Sequence, residues 1–157
     1  MAIEKVIDYF KSLGKENLIM QFDISSATVE LAAEAIGCEG AHIAKTMSFM
    51  VEGAPVLIVT AGDMKIDNSK FKAVFRTKAK MLTADEAHNL IGHDVGGICP
   101  FAVNDGCKVY LDESLKRFDT VYPAAGNASS AVRLTIPELE TYSKYISYVD
   151  VCKQKEA

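Results

Sequence analysis

The stretch from Pro55 to Ala61, bounded by Gly53 and Gly62, carries an unbroken Val-Leu-Ile-Val core with no polar alternation. A strand with one wet face alternates apolar and polar residues, so a continuous run of this kind belongs to a strand covered on both sides. Ala41 to Val51 also suits a strand, and a turn near Gly53 lets the two pair. Whatever else the chain builds must therefore supply layers above and below a central hairpin.

The flanking segments provide such layers. Ile3, Val6, Ile7, Phe10 and Leu13 recur at helical spacing before Gly14, which predicts an opening amphipathic helix. Leu18 to Phe22 predicts a short strand. Ser25 or Ser26 is then placed to cap a helix carrying Val29, Ala32, Ala33 and Ile36, with Gly37 at its end. Phe71, Val74 and Phe75 mark a further helix, Lys80 to Leu82 a short extended piece, and Thr83-Ala-Asp-Glu86 a capping box that opens a helix closed by Gly92. After the Asn104-Asp105-Gly106 turn, strands are predicted at Lys108 to Leu111, Thr120 to Ala124 and Ala131 to Ile136, followed by a helix from Pro137. Strands and helices intermix without a βαβ period, so the fold class expected is α+β, with a mixed, partly barrel-like sheet surrounded by helices. At 157 residues, with 49% apolar content, one domain spanning residues 1–157 is the expectation.

Lys and Arg number 17 against 21 Asp and Glu, a net charge of −4, which excludes a protein that coats polyanions over its whole surface. One local basic surface remains open: Lys65 to Lys80 holds six basic residues against Asp67 alone, a local charge of +5. No stretch reaches the roughly 18 apolar residues of a membrane span, and the amino terminus mixes charge into its helical pattern, so a cytoplasmic protein is expected. The cysteines at 38, 99, 107 and 152 fit no CxxC spacing and are too sparse for a disulfide scaffold; reduced thiols are expected.

GxGxxG, GxxxxGK[ST], HExxH and GxSxG are all absent from the sequence, and His42, His88 and His93 fall at no metal-ligand spacing, so neither cofactor nor metal is indicated. Three features stand out instead. In strand geometry Lys45 shares a face with Ile43, Met47, Phe49 and Val51, an ammonium interrupting an apolar stripe, while Thr46 points to the opposite face. Such a lysine either snorkels to water from a strand end or holds an anion or carbonyl in a pocket. Gly96-Gly-Ile-Cys-Pro100 is a shaped loop whose glycines let backbone amides turn toward an acceptor. The small-residue cluster Ala124 to Ser130 forms either a cleft lining or a surface turn.

Taken together, Ser25-Ser-Ala-Thr28, His42-Ile-Ala-Lys-Thr46, Val56 to Asp63, Gly96-Gly-Ile-Cys-Pro-Phe101 and the Gly126 region before Val132-Arg-Leu-Thr-Ile-Pro137 resemble, in this order, the YbaK and prolyl-tRNA synthetase-associated domains. The resemblance implies hydrolysis of mischarged aminoacyl-tRNA by a freestanding, trans-acting deacylase, with tRNA-Pro carrying Cys or Ala as the substrate. Lys45 and Gly97 are then the catalytic positions, and Thr28, Thr46, Gly96, Ile98, Pro100, Asn127 and Ser129 the substrate-binding ones. The tRNA 3′ aminoacyl end is the implied partner, with prolyl-tRNA synthetase as a further one; neither DNA nor membrane is implied. Lys70, Lys72, Arg76 and Lys78 are the candidates for RNA contact, although charge runs of this kind commonly form solvated faces. Two alternatives of different class stay open: a non-catalytic module binding a nucleotide, an aminoacyl-adenosine or a synthetase, and a cysteine hydrolase using Cys99 or Cys107.

Overall fold

The computed structural model describes residues 2–155. Helix α1 (Ala2–Ser12) buries Ile3, Val6 and Phe10 on the face that the spacing predicts. Strand β1 (Ile19–Gln21) follows, and then α2 (Val29–Ile36). The cap of α2 is Thr28, whose hydroxyl accepts from the Leu31 amide, and not Ser25 or Ser26. Ser26 is drawn away because its own amide donates to the Ala128 carbonyl, which ties it to another segment of the chain.

Strands β2 (Ile43–Val51) and β3 (Ala54–Ala61) form the expected antiparallel hairpin, in register from Ala44↔Ala61 to Val51↔Ala54. Glu52 and Gly53 both take positive φ, 51° and 78°, the mirror-image turn whose twist suits a two-residue hairpin. Leu57, Ile58 and Val59 are fully buried, so both faces of β3 are covered; each such side chain contributes about 1.5–3 kcal/mol of transfer free energy. Val59 packs with Phe10, Phe101 and Leu111 on one face, whereas Ile58 packs with Phe49, Phe71 and Val151 on the other.

A short strand β4 (Met64–Ile66) leads into α3 (Asn68–Phe75), capped by Asp67, whose carboxylate accepts from the Ser69 and Lys70 amides. Next comes α4 (Ala84–Glu86), opened by the Thr83–Glu86 capping box. It widens into a π turn at Ala87–Ile91 where the sequence suggested regular helix. The remaining elements are β5 (Lys108–Asp112), β6 (Thr120–Pro123), β7 (Ser130–Val132), β8 (Leu134–Thr135), α5 (Ile136–Ser143), β9 (Tyr148–Val149) and β10 (Cys152–Gln154). The single strand expected from Ala131 to Ile136 is two, divided at Arg133: β7 pairs with β1, whereas β8 pairs with β6.

The six-stranded sheet runs β8-β6-β2-β3-β5-β9, with parallel pairings β6–β2, β3–β5 and β5–β9 and antiparallel ones elsewhere. This curled half-barrel with its helices is the mixed α+β architecture expected. The β1–β7 and β4–β10 pairs complete the described strands. Gly62, just after β3, could not be another residue: a Cβ there would lie 2.0 Å from the Gly40 carbonyl oxygen and 2.9 Å from Val29 Cγ1. That close approach draws α2 against the end of the hairpin.

One irregularity positions the site. On its outer side β2 pairs with β6 only at Ile43 and Ala44. Further along, the Leu82 amide donates to the Ser48 carbonyl at 3.1 Å and the Met50 amide donates to Lys80 at 2.8 Å. Between these two partners the edge of β2 is open at Thr46.

A candidate active site at the break in strand β2

A cleft of about 210 Å³ lies over this break. Its floor is β2 from Ile43 to Ser48; Thr28, Val29 and Ala32 form one wall, Gly96 and Ile98 another, and Tyr122, Ala124, Ser130 and Ala131 a third. Met81 and Val95, 58% and 66% exposed, form an apolar rim. Asp and Glu are absent from the lining, so the cleft is an apolar hollow set with hydroxyls and main-chain groups.

Lys45, Thr28, Thr46, Gly96 and Ile98 all line this cleft. The other expected site residues are elsewhere. Gly97 and Asn127 line a neighbouring hollow with Lys5, His88 and Asp94, and Pro100 borders a third with Asn104 and Tyr142. Ser129 borders none of these cavities; its amide donates to the Asn127 carboxamide oxygen at 3.0 Å. Ser26, Ser48, Tyr122 and Ser130, which the sequence did not single out, are part of the main lining. Ser48 had a signal, alternating with Thr46 on one face of the predicted strand.

Lys45 is half-buried, and its ammonium donates to the Met64 carbonyl on β4. Burial, followed by the positive field of Lys155, holds its pKa below the usual lysine range. Lys155 arrives there because β10 pairs with β4, Gln154↔Met64, and its own amide reaches the Asp63 carbonyl. Across the same edge Arg117 grips Asp63 through two hydrogen bonds, 2.9 and 2.6 Å, which depress the Asp63 pKa.

The glycine loop is a tight turn. The Gly97 amide donates to the Asp94 carbonyl at 3.0 Å, with Gly96 at φ 97° in the position a type II turn reserves for glycine. Gly97 is also fixed by packing, since a Cβ there would lie 2.5 Å from the Asn127 backbone. Its amide is thus used inside the loop. The amides of Gly96 and Ile98, by contrast, have no protein acceptor among the described residues. A 2.7 Å contact between His88 Nδ1 and the Asp94 carboxylate straps the loop's entry.

Cys99 lies behind the loop, fully buried, its thiol 3.5 Å from His93 Nε2 and 3.7 Å from the Phe101 carbonyl. Desolvation pushes its pKa up to about 12. His93 is equally buried; Nε2 donates to the Phe101 carbonyl at 2.7 Å, and burial lowers its pKa. Cys107 donates to the Leu90 carbonyl at 3.3 Å, and its pKa too is raised by burial. Neither thiol lines the cleft. All four cysteines are free. Among the described residues no group of three or more His, Cys, Asp or Glu could hold a metal ion, and no helix is long and apolar enough to cross a membrane.

Of the basic segment, Lys72 and Lys78 flank a shallow depression beside α3, and Arg76 ends that helix with φ 64°. Lys70 is committed elsewhere: it bonds Asp150 at 3.1 Å and the Cys152 carbonyl at 3.0 Å.

Residues 25–142, which contain every wall of the cleft, match the aminoacyl-tRNA editing domain. The chain belongs to this family. Another chain similar to it is the uncharacterized protein YwhH of Bacillus subtilis, 48% identical over 157 residues, covering 99% of this chain and 100% of that one. The proline–tRNA ligase of Staphylococcus aureus is 28% identical over 99 residues, 62% of this chain but only 17% of the ligase. Among solved structures, a proposed trans-editing enzyme for prolyl tRNA synthetase superimposes with a TM-score of 0.86 at 25% identity, over 99% of this chain and 98% of that one. A hypothetical protein matches with a TM-score of 0.84 at 23% identity, over 95% and 99% of the two chains, which speaks for the editing-domain fold alone.

Proposed function

We propose that the protein is a trans-acting deacylase that hydrolyses the ester of a mischarged aminoacyl-tRNA in the cleft at Thr46. The observation that carries this reading is the convergence on one apolar cleft of a lysine, unpartnered loop amides and hydroxyls, with no thiol or imidazole in its wall. Such a site suits a reaction in which the protein positions an ester and stabilises developing charge, while the nucleophile comes from water or the substrate.

In this reaction the oxygen of a water adds to the ester carbonyl carbon, and the carbonyl oxygen becomes an oxyanion. The Gly96 and Ile98 amides are the available donors for it; Gly97, whose amide serves the turn, acts by shaping the loop. Collapse breaks the bond to the ribose oxygen, which takes up the proton lost from the water, and releases the free amino acid and an intact tRNA 3′ end. Lys45, held beside the cleft by the Met64 carbonyl, supplies positive charge toward the aminoacyl-adenosine end. Thr28 acts chiefly through its cap, which fixes the wall formed by α2. Asn127 supports the loop through the packing of its backbone against Gly97, and Pro100 and Ser129 fall outside the lining of the cleft.

The small cleft suits a short side chain, and the likeness to a stretch of a proline–tRNA ligase and to a proposed prolyl trans-editing enzyme supports Cys- or Ala-charged tRNA-Pro as substrate, with the synthetase as a partner. The test is deacylation of a panel of mischarged tRNAs by wild type and Lys45→Met, which keeps the stem and deletes the charge. Hydrolysis of one or more members, slowed about 30-fold to 1,000-fold by the substitution in a folded protein, is expected. Binding of the panel without turnover would identify a non-catalytic module, and an unimpaired Lys45→Met would make the lysine structural.

A further inference from the structure

The open edge at Thr46 has a defined chemistry. Residues of β2 alternate in the direction of their backbone groups, and because Ser48 and Met50 bond outward to Leu82 and Lys80, Thr46 turns its N–H and C=O to the same outer side. The β6 pairing has ended at Ala44, so both groups lack a partner among the described residues. The Thr46 side chain repeats the pattern: its Oγ1 is buried and makes no hydrogen bond. The buried Oγ1 departs from the rule that buried polar groups are paired, and beside it on the floor of an apolar cleft stand two further unpartnered groups of the same half-buried residue.

A ligand that satisfies this floor must bring N–H or O–H donors for the carbonyl and Oγ1, and an acceptor for the N–H. An amino acid esterified at its carboxyl brings the donors on its α-amino group, one bond from the carbon that bears the ester carbonyl, and acceptors in the ester oxygens. The cleft holds no carboxylate, so the amine would be met by dipoles and a hydroxyl, not by a counter-charge. The slot is one residue long, between the Ala44–Pro123 pairing and the Leu82–Ser48 hydrogen bond, and an acyl group on the nitrogen would leave it a single N–H where the floor offers two acceptors.

We infer that the break in β2 is the receptor for the free α-amino group, with the amine donating to the Thr46 carbonyl and Oγ1, so that the site accepts aminoacyl esters and rejects N-acylated ones. This inference rests on the deacylase reading. The amino acid is thereby recognised by the one feature that separates a freshly charged tRNA from a peptidyl or formylated one.

The experiment compares one mischarged tRNA in its free and N-acetylated forms, with wild type and Thr46→Val. N-acetylation is expected to slow hydrolysis at least about 100-fold, and Thr46→Val to slow the free ester about threefold to tenfold while narrowing the ratio, as befits one lost hydrogen bond. Equal rates for the two esters, or a ratio unchanged in Thr46→Val, would overturn the inference and leave the deacylase reading intact. If neither ester is hydrolysed the deacylase reading fails, and calorimetry with 3′-alanylamido-3′-deoxyadenosine and its N-acetyl form then decides: preference for the free amine upholds the receptor, whereas equal affinity or no binding refutes it.

Discussion

Replacement of Cys99 by serine separates two chemistries that the loop sequence alone leaves open. The thiol is fully buried beside His93, and desolvation pushes its pKa up to about 12. At pH 7.5 roughly one molecule in 30,000 then carries the thiolate, against about one in ten for a free cysteine, so a covalent route would begin with a handicap of about 3,000-fold. His93 offers no relief, because the nitrogen nearest the sulfur already donates to the Phe101 carbonyl. In Cys99→Ser the hydroxyl inherits the acceptor at Phe101, and the expected cost is polar burial, about 1–3 kcal/mol, or a fall in Tm of about 2–12 °C. Turnover measured on a mischarged tRNA, well below the new Tm, should stay within about threefold of wild type. Loss of more than about 1,000-fold in a folded variant, or a trapped acyl-thioester, would refute this reasoning and restore the cysteine hydrolase.

Gly62→Ala should destabilise the protein by about 2–4 kcal/mol in urea, because its Cβ meets the Gly40 carbonyl oxygen at 2.0 Å, whereas Gly14→Ala, with no atom within 4 Å, should cost only the strain of its positive φ. Burial holds His93 neutral with a lowered pKa, so below about pH 6.5 the unfolded chain binds a proton that the native state does not. Stability should therefore fall as the pH drops from 7.5 to 5, and His93→Gln should flatten that limb in denaturant titrations. Replacing Lys72, Arg76 and Lys78 together should weaken tRNA association and lower its salt slope by about 2–3, while hydrolysis of a minimal aminoacyl-adenosine ester is unchanged; an unaltered slope would return these residues to a solvated face.

The central hairpin was legible in the sequence because two signals coincide there, an uninterrupted apolar run and a glycine turn. The capping boxes at Thr83 and Thr135 are short motifs of the same local kind. What escaped depends on contacts between distant segments. Strands β9 and β10 are two and three residues long, too short to show a period, and exist because β5 and β4 offer them edges. Alternation puts Lys45 on the face it shares with Met47 and Phe49, yet nothing local announces the Met64 carbonyl as its acceptor. Gly97 carries a loop signature, but the sequence cannot say that its amide is spent on Asp94 or that the Asn127 backbone leaves no space for a side chain. Lys70 likewise belongs to a basic run in sequence and to an ion pair with Asp150 in space.

The interrupted ladder at Thr46 also bears on how the protein avoids sticking to itself. An unpaired strand edge is the usual template for intermolecular β-pairing and aggregation. Here the exposed length is a single residue, recessed between β6 and the Lys80–Leu82 segment, whereas a foreign strand needs several consecutive backbone groups to gain a foothold. The opening is wide enough for a small molecule and too short for a chain.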